Sequence, residues 1–502
     1  MCGSSLNFAA AHMSPTAQPG TLARLTLIGM ASVGIVVGVG IVGCSVGPNY
    51  RPTPARTPTS WVSPLTNGLS DQAAAPATWW ASFNDAELNS LVQRAMRANL
   101  DLRVAEARLR QARALRSASA ANLLPNLNAT ASAARAKQSQ NQPFFGALAL
   151  PPNFPFEYSV YQAGFDASWE LDLFGGKRRA LEAATADWQS AIEARNDVMV
   201  SVLAELGRSY MEMRGTQQRL QIAQRDIALA QEALDLTRAR LQGGIATDLD
   251  VARSAALLAG MQAALPPLEA AERAAMYGLA VLLALPPGDL VAELTVPVAL
   301  SPLVTQVPIG LPADLVRRRP DVRRAERQLA AETARIGIAK SDWFPKVSLI
   351  GDAGQESVTT GKWFEPASRF WSIGPSLQWK ALDFGRVRAQ VQAQSAVQQA
   401  ALASYEKAVL ISLQEAESAL VAYAQEQNRH QALTDAVAQN RQSLDLAERM
   451  YQYGRVSFLD VLDARRSLYQ ADDLLASSDQ GVAVDLIALY KALGGGWESL
   501  PR

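Results

Sequence analysis

Apolar residues recur at every seventh position along the segment 179–241, and residues 178–265 contain no proline. A strict seven-residue repeat produces a left-handed coiled coil, and at ~1.5 Å per residue such a helix would be on the order of 90–100 Å long. The repeat positions are Ile192, Met199, Leu206, Met213, Leu220, Ile227, Leu234 and Leu241, and small residues follow three positions later at Val202, Ser209, Thr216, Ala223 and Ala230. The pattern predicts a long helix that a neighbouring helix can approach closely.

The C-terminal half repeats this pattern, and residues 376–500 also lack proline. The repeat positions are Leu402, Val409, Ala416, Tyr423, Val437 and Leu444, continued by Val461, Leu468, Leu475, Val482 and Leu489. Gly243, Gly244 and Gly454, the last followed by Arg455, interrupt the two runs and predict the tips of two helical hairpins. The periodicity alone leaves an ordinary coiled-coil stalk and a channel wall both open.

Two further segments alternate apolar and polar residues with a period of two. Apolar positions are Tyr161, Ala163, Phe165, Ala167, Trp169 and Leu171 in the first, and Trp371, Ile373, Pro375, Leu377 and Trp379 in the second. Transmembrane β-barrels show this alternation, with apolar side chains facing lipid and aromatic residues near the ends. We expect Tyr161, Phe165, Trp169, Trp371 and Trp379 on a lipid face. A half-buried soluble sheet is the alternative.

Weaker strand patterns precede these segments, at 126–135 and 346–357, and the loops between the paired strands would face outward from the cell. Four strands cannot enclose a water-filled barrel, so closure requires several copies of the chain. A cyclic oligomer is the natural solution.

An internal duplication organises the chain. The sequence Asp-Leu-Arg-Val-Ala-Glu at 101–106 recurs in similar form at 321–326, and Leu-Asp-Val at 249–251 recurs at 459–461. We therefore assign a first repeat to residues 81–285, a linker to 286–311, a second repeat to 312–493 and a C-terminal tail to 494–502. Each repeat should run helix, strand, loop, strand, long helix, turn, helix.

The N-terminal sequence predicts a targeting signal. Arg24 precedes an apolar run at 25–43, which ends in Ile-Val-Gly followed by Cys44. This run resembles a secretory signal with a bacterial lipobox, and a transmembrane helix is the alternative. We expect residues 1–43 to be a signal peptide, with Met13 as a possible start. Acylated Cys44 would then begin a lipid-anchored tether at 44–80, rich in proline and threonine.

Composition excludes several classes of function. The chain has 47 basic and 47 acidic residues, a balance that argues against nucleic-acid binding. Its only two cysteines lie in the first tenth of the sequence, and it has only two histidines, His12 and His430. There is no phosphate loop, no metal-binding cluster and no credible catalytic triad. We expect no enzymatic activity, no metal and no cofactor beyond the covalent lipid.

The chain resembles the TolC-like outer-membrane efflux proteins, and most closely their lipoprotein branch, the NodT family. The resemblance covers nearly everything after Cys44. It is carried by Val-Gly-Pro-Asn-Tyr at 46–50, Trp79 and Trp80 with Phe83, Arg-Arg-Arg-Pro-Asp-Val at 317–322, and Asp-Val-Leu-Asp-Ala at 460–464.

The resemblance implies a homotrimer with one 12-stranded barrel, continued by a long coiled-coil α-barrel in the periplasm. It also implies passive conduction of small molecules, a periplasmic adaptor that contacts the hairpin tips, and an inner-membrane resistance-nodulation-division transporter. A duct for protein secretion is the alternative.

Family members close at the periplasmic tip. Asp460 and Asp463 match the acidic gate positions, Asp250 is the repeat equivalent of Asp460, and Tyr451 matches a residue that helps to hold the tip shut. The alternative is that these aspartates are solvated carboxylates at the start of helices. The family can carry an arginine where this chain has Val456, so the closing contacts are left open.

Overall fold

The computed structural model describes residues 45–52, 54–66, 68–72, 77–140, 155–298 and 307–499. Cys44 and the predicted signal peptide lie outside the described residues. Among those residues, no helix combines the length and the apolar character that crossing a membrane requires.

Two 67-residue helices are the main structural elements of the described residues. In chain order the helices are α1 (Ala86–Ala98), α2 (Leu100–Ala121), α3 (Gly176–Gln242), α4 (Asp248–Ala263), α5 (Leu265–Leu282), α6 (Val291–Leu294), α7 (Pro312–Arg318), α8 (Pro320–Ser341), α9 (Arg386–Gln452) and α10 (Phe458–Ala492). The strands are β1 (Leu69–Ser70), β2 (Asn126–Lys137), β3 (Glu157–Leu171), β4 (Val307–Pro308), β5 (Lys346–Ser357) and β6 (Arg369–Gln378). At ~1.5 Å per residue, α3 and α9 are each about 100 Å long.

The predicted coiled-coil seam is largely buried within one chain. Met199, Leu206 and Met213 are fully buried on α3, and the small residues Val202, Ser209, Thr216, Ala223 and Ala230 are buried beside them. Helix α3 packs against α8 and α10, while α9 packs against α10 and α8. The returning helix of the first hairpin divides into α4 and α5 just before Pro266, because proline cannot continue the backbone hydrogen-bond ladder.

Strands β2, β3, β5 and β6 form one antiparallel sheet in that order, as the alternating pattern predicted. The register sets Leu127 opposite Ala167, Phe165 opposite Ala353, and Ala353 opposite Trp371, so the apolar positions of all four strands share one face. The opposite face carries mainly polar side chains, with Ile350 and Phe370 among the exceptions. The sheet is therefore amphipathic across its full width.

The strand residues expected on a lipid face lie together on the apolar face of the sheet. Trp371 is 77% exposed and Phe165 is also exposed, while Tyr161 and Trp169 are half-buried. Trp379 was wrongly placed in a strand, because β6 ends at Gln378 and the Trp379 indole donates instead to the Trp343 carbonyl at 3.1 Å. Strands β2 and β6 form open edges in a single chain, and adjacent chains must cover such edges to close a barrel.

The hydrophobic core lies where the middle of α3 meets α1, α5 and the end of α10. Trp79 is 1% exposed and stacks on Tyr490, with ring centroids 5.5 Å apart. Trp80 and Phe83 contact Trp79 edge-on. The aromatic residues that carry the family resemblance are therefore structural.

The arginine run at 317–319 also has a structural role. The buried Arg319 binds Asp321, Glu415 and the Ala492 carbonyl, and thereby joins α8, α9 and the end of α10. Arg318 pairs with Glu498 in the C-terminal tail at 2.8 Å. Except for Asp321, the partners of Arg318 and Arg319 lie at least 96 residues away, so the local sequence pattern does not identify them.

Candidate functional site at the hairpin tips

The two hairpin tips have the same local geometry. After α3, Gly244 adopts a φ of +74°, and after α9, Gly454 adopts a φ of +69°. The Ile245 amide donates to the Arg240 carbonyl at 2.8 Å, and the Arg455 amide donates to the Met450 carbonyl at 2.9 Å. Glycine is favoured at both positions because a side chain would strain a left-handed backbone. The predicted tips are confirmed, and Gly243 is the C-cap residue that follows the last residue of α3, Gln242.

Two predicted gate aspartates begin the returning helices. The Asp250 carboxylate accepts from the Thr247 amide, and the Asp460 carboxylate accepts from the Ser457 amide, each at 2.9 Å. In return, each hydroxyl caps the amide at the third helical position, which forms a capping box. Asp250 and Asp460 are thus equivalent in structure as well as in the duplicated sequence.

These hydrogen bonds favour the ionised form of both carboxylates. The bond from the Ser457 hydroxyl, followed by that from its amide, lowers the pKa of Asp460 below its ordinary value. The amide and hydroxyl of Thr247 lower the pKa of Asp250 in the same way. The tips therefore present fixed negative charges at neutral pH.

Asp463 lies one helical turn beyond Asp460 on α10. It is exposed and approaches Arg466 at 3.4 Å. It lines a groove of about 580 Å³ between α4 and α10, together with Arg253 and Tyr469. The described structure thus brings Asp460 and Asp463 to the first turns of one helix, as their three-residue spacing predicted.

Tyr451 contacts the other hairpin through a residue that the sequence analysis missed. The Arg240 guanidinium lies over the Tyr451 ring at 4.9 Å from its centroid, and the Phe458 ring lies 5.4 Å from the same centroid. We call Arg240, Tyr451 and Phe458 the tip latch. Arg455 is exposed and forms no ion pair with any residue that the structure describes. The arginine that meets Tyr451 therefore comes from α3.

Arg465 makes a second connection between the hairpins. Its guanidinium donates to the Leu229 carbonyl on α3 at 3.2 Å and pairs with Glu448 on α9 at 2.7 Å. Neither contact could be found from the sequence alone, because Leu229 and Arg465 are 236 residues apart. Arg240, Arg465 and Tyr451 together hold the end of α3 against the second hairpin.

The described residues do not place three or more His, Cys, Asp or Glu side chains where they could hold a metal. His430 lies in the seam between α9 and α10, where its Nε2 is 2.7 Å from an Asp479 carboxylate oxygen. It is a polar residue of the helix interface, seven positions after Tyr423 in the seven-residue repeat.

Comparison with known proteins agrees with this architecture. The model of the outer membrane efflux protein family matches residues 91–284 and 311–495. The chain is 30% identical over 478 residues to the toluene efflux pump outer membrane protein TtgC of Pseudomonas putida, covering 94% of this chain and 96% of that protein. It is also 30% identical over 459 residues to nodulation protein T of Rhizobium leguminosarum, covering 90% and 91%. The solved structure of the outer-membrane channel OprN superposes with a TM-score of 0.84 at 38% identity, covering 91% of this chain and 100% of that chain.

The chain therefore belongs to the outer membrane efflux protein family. Its fold is that of the trimeric channels that combine a β-barrel with a long periplasmic α-barrel. It is the outer-membrane channel of a tripartite efflux pump, a class of channel that works with an adaptor and an inner-membrane transporter. The comparisons give no support to the alternative of protein secretion.

Proposed function

We propose that three copies of this chain form a lipid-anchored duct that is gated at its periplasmic tip and conducts small toxic molecules passively. An inner-membrane transporter of the resistance-nodulation-division class would supply the energy, and a periplasmic adaptor would contact Gly243, Gly244, Gly454 and Arg455. The observation that carries the proposal is one amphipathic four-stranded sheet on two 67-residue helices. Three such sheets make a 12-stranded barrel, with lipid outside and water inside.

The side chains on the polar face of the sheet and at the hairpin tips suit passive conduction. The polar face of the sheet carries Asn128, Asp166, Asp352 and Ser372 at one level, which suits a water-filled lumen. The hairpin tips offer ionised carboxylates and arginines without a metal cluster among the described residues. Because the relatives reported above are efflux channel proteins, we infer that the chain is likewise not an enzyme and that substrate choice resides in the transporter.

The proposed gate would use the acidic side chains of the tips and the tip latch. Threefold symmetry would bring the Asp460 and Asp463 carboxylates of three chains near the axis, where they attract cations and repel anions. The tip latch would hold each second hairpin against α3 in the closed state. Asp250 would add charge at the equivalent turn of the first hairpin.

The lipid anchor is the third part of the proposal. The Cys44 thiol would carry the diacylglycerol, and cleavage between residues 43 and 44 would free the Cys44 amino group for a third acyl chain; several acyl chains anchor a protein stably where one does not. The proposed anchor is tested by the mass of the N-terminal peptide of the mature protein. Diacylglycerol and a third acyl chain on Cys44 would support it, and an unmodified or uncleaved N-terminus would overturn it.

Efflux is tested in cells that keep the matching transporter and adaptor but lack their own outer-membrane channel. The chain should restore export of a fluorescent substrate, and exchanging the duct while the transporter is fixed should leave the range of exported compounds unchanged. A range that follows the duct would place selectivity in this chain and contradict the proposal.

A further inference from the structure

The first described residues, 45–50, form a strap that is bound to the body of the protein. The Val46 amide donates to the Phe174 carbonyl at 3.1 Å, and Ser45 lies against Gly175. Gly47 has a φ of +98°, and a Cβ atom added to it would lie 2.5 Å from the Gly337 Cα. The composition predicted an extended linker, but this part of it fits a closely matched surface.

A single buried arginine binds most of the strap. Arg179, at the start of α3, is 3% exposed. Its Nε donates to the Val46 carbonyl at 3.1 Å, and its Nη2 donates to the Gly47 carbonyl at 3.3 Å and to the Asn49 Oδ1 at 2.6 Å. Its remaining described partner is Glu182, at 2.7 Å. A buried guanidinium that loses its acceptors is destabilising, so Arg179 and the strap depend on each other.

The neighbouring helix is shaped for the same contact. Gly337 of α8 leaves the space that Arg179 occupies, since an added Cβ would lie 2.8 Å from the Arg179 Cγ. Further along the strap, the Tyr50 hydroxyl donates to Glu326 at 2.9 Å, and Arg327 lies over the Tyr50 ring at 5.5 Å. The strap therefore follows α8 from Gly337 to Glu326.

The strap begins at the junction between the sheet and the helices. Strand β3 ends at Leu171 and α3 begins at Gly176, so the Ser45–Gly175 contact lies at the periplasmic rim of the sheet. Aromatic side chains lie at this rim: Phe174 stacks on Phe344 with centroids 4.5 Å apart, and the Trp379 indole donates to the Trp343 carbonyl. Aromatic residues are typical of the level where a membrane protein meets the lipid headgroups. Residue 44 is joined to Ser45 by one peptide unit, a Cα separation of ~3.8 Å.

We propose that Arg179 is the positioning residue of the lipid anchor, and that it fixes the acyl chains beside the aromatic rim of the barrel. The inference rests on the proposed acylation of Cys44. Without Arg179 the next fixed point is Tyr50, whose hydroxyl donates to Glu326, so residue 44 could range over roughly 13 Å, from ~5–6 Å multiplied by the square root of the freed length. Binding of the strap to Arg179 therefore keeps the acyl chains at the rim. The barrel then reaches its membrane-inserted state sooner than it would with a freely moving anchor.

The test uses the full-length lipoprotein in membranes, labelled metabolically with a photoactivatable fatty acid. In the parent, crosslinks should concentrate on peptides 169–175 and 340–346 of the rim. In Arg179→Ala they should fall about fivefold or more, as expected for an anchor that ranges over roughly 13 Å. Hydrogen exchange of the Val46 amide should quicken in the same variant.

Matched variants separate positioning from general destabilisation. Arg214 is equally buried on α3 at 3% exposure, but its partners include the Val296 carbonyl and none of the strap. Arg214→Ala should keep the parent's crosslinks. Gly47→Ala should act like Arg179→Ala, whereas Gly244→Ala, which has a similar φ of +74° and no atom within 4 Å, should not.

The outcomes distinguish the inference from the proposal beneath it. If mass spectrometry finds Cys44 unacylated in the parent, the proposed lipid anchor fails and the inference with it. If Cys44 is acylated in every variant and Arg179→Ala retains the parent's crosslinks and exchange rate, only the inference is overturned.

Discussion

The tip latch gives the sharpest quantitative prediction for gating. The Arg240 guanidinium lies 4.9 Å from the Tyr451 ring centroid, and it joins the end of α3 to the second hairpin. A cation–π contact at a partly exposed position contributes about 0.5–1 kcal/mol. Three copies in a symmetric trimer would then favour the closed tip by about 1.5–3 kcal/mol, which is roughly 10- to 150-fold in the equilibrium between closed and open states.

Arg240→Ala should therefore raise the open fraction of single channels in planar bilayers by about that factor. Arg238→Ala is the matched control, because Arg238 lies on the same helix and pairs only locally, with Asp235 at 3.2 Å. Tyr451→Leu should open the channel to a similar degree, and the double variant should add little, since both changes remove one contact. Equal open fractions for Arg240→Ala and Arg238→Ala would refute the latch.

Three further predictions follow from other parts of the structure. Trp79→Ala removes a core side chain that stacks on Tyr490 and should lower the free energy of unfolding by about 3–5 kcal/mol, measured by chemical denaturation in detergent. Ile373→Arg, on the apolar face of the sheet, should lower the stability of the inserted barrel by about 2–4 kcal/mol and reduce outer-membrane insertion. Ser372→Arg, on the polar face, should insert normally, and equal insertion of the two variants would contradict the assignment of the faces. Because hydrogen bonds from Ser457 lower the pKa of Asp460, its capping contribution to stability should be fully present above an ordinary aspartate pKa of about 3.9 and be lost only as the pH falls through the lower folded value. If the difference in unfolding free energy between the parent and Asp460→Asn had vanished by about pH 5, this assignment would be contradicted.

The helices and strands could be predicted from the sequence because their side-chain periods differ. The seven-residue repeat through Met199, Leu206 and Met213 marks a seam that the structure buries, and the alternation around Phe165 marks a strand with one apolar face. Both patterns are local properties of the chain. They fail only at an end, where Trp379 continues the alternation after the strand has finished.

Contacts between distant segments could not be predicted. Arg240 and Tyr451 belong to different repeats, and nothing in the local pattern of α3 distinguishes Arg240 from the exposed Arg238. Arg179 likewise sits in a basic run with Lys177 and Arg178, which predicts a solvated helix start. Its burial depends on contacts with the strap, in which Asn49 lies 130 residues before Arg179 in the sequence.

Asp460 can have two roles, as a gate carboxylate and as a helix-capping residue. The resemblance assigns Asp460 to the gate, and the structure shows that it also caps the start of α10 through Ser457. Ser457→Ala separates the roles, because it removes one partner of the cap and leaves the charge in place. Retained cation selectivity in Ser457→Ala, with loss in Asp460→Asn, would support a role for Asp460 beyond capping.

The most direct test of the gated duct is the conductance of the purified protein in planar bilayers, with the parent compared to Asp460→Ala combined with Asp463→Ala. The account predicts a small, cation-selective conductance in the parent that grows or loses its selectivity in the double variant. Protein that is folded and trimeric but forms no channel under any condition would contradict it.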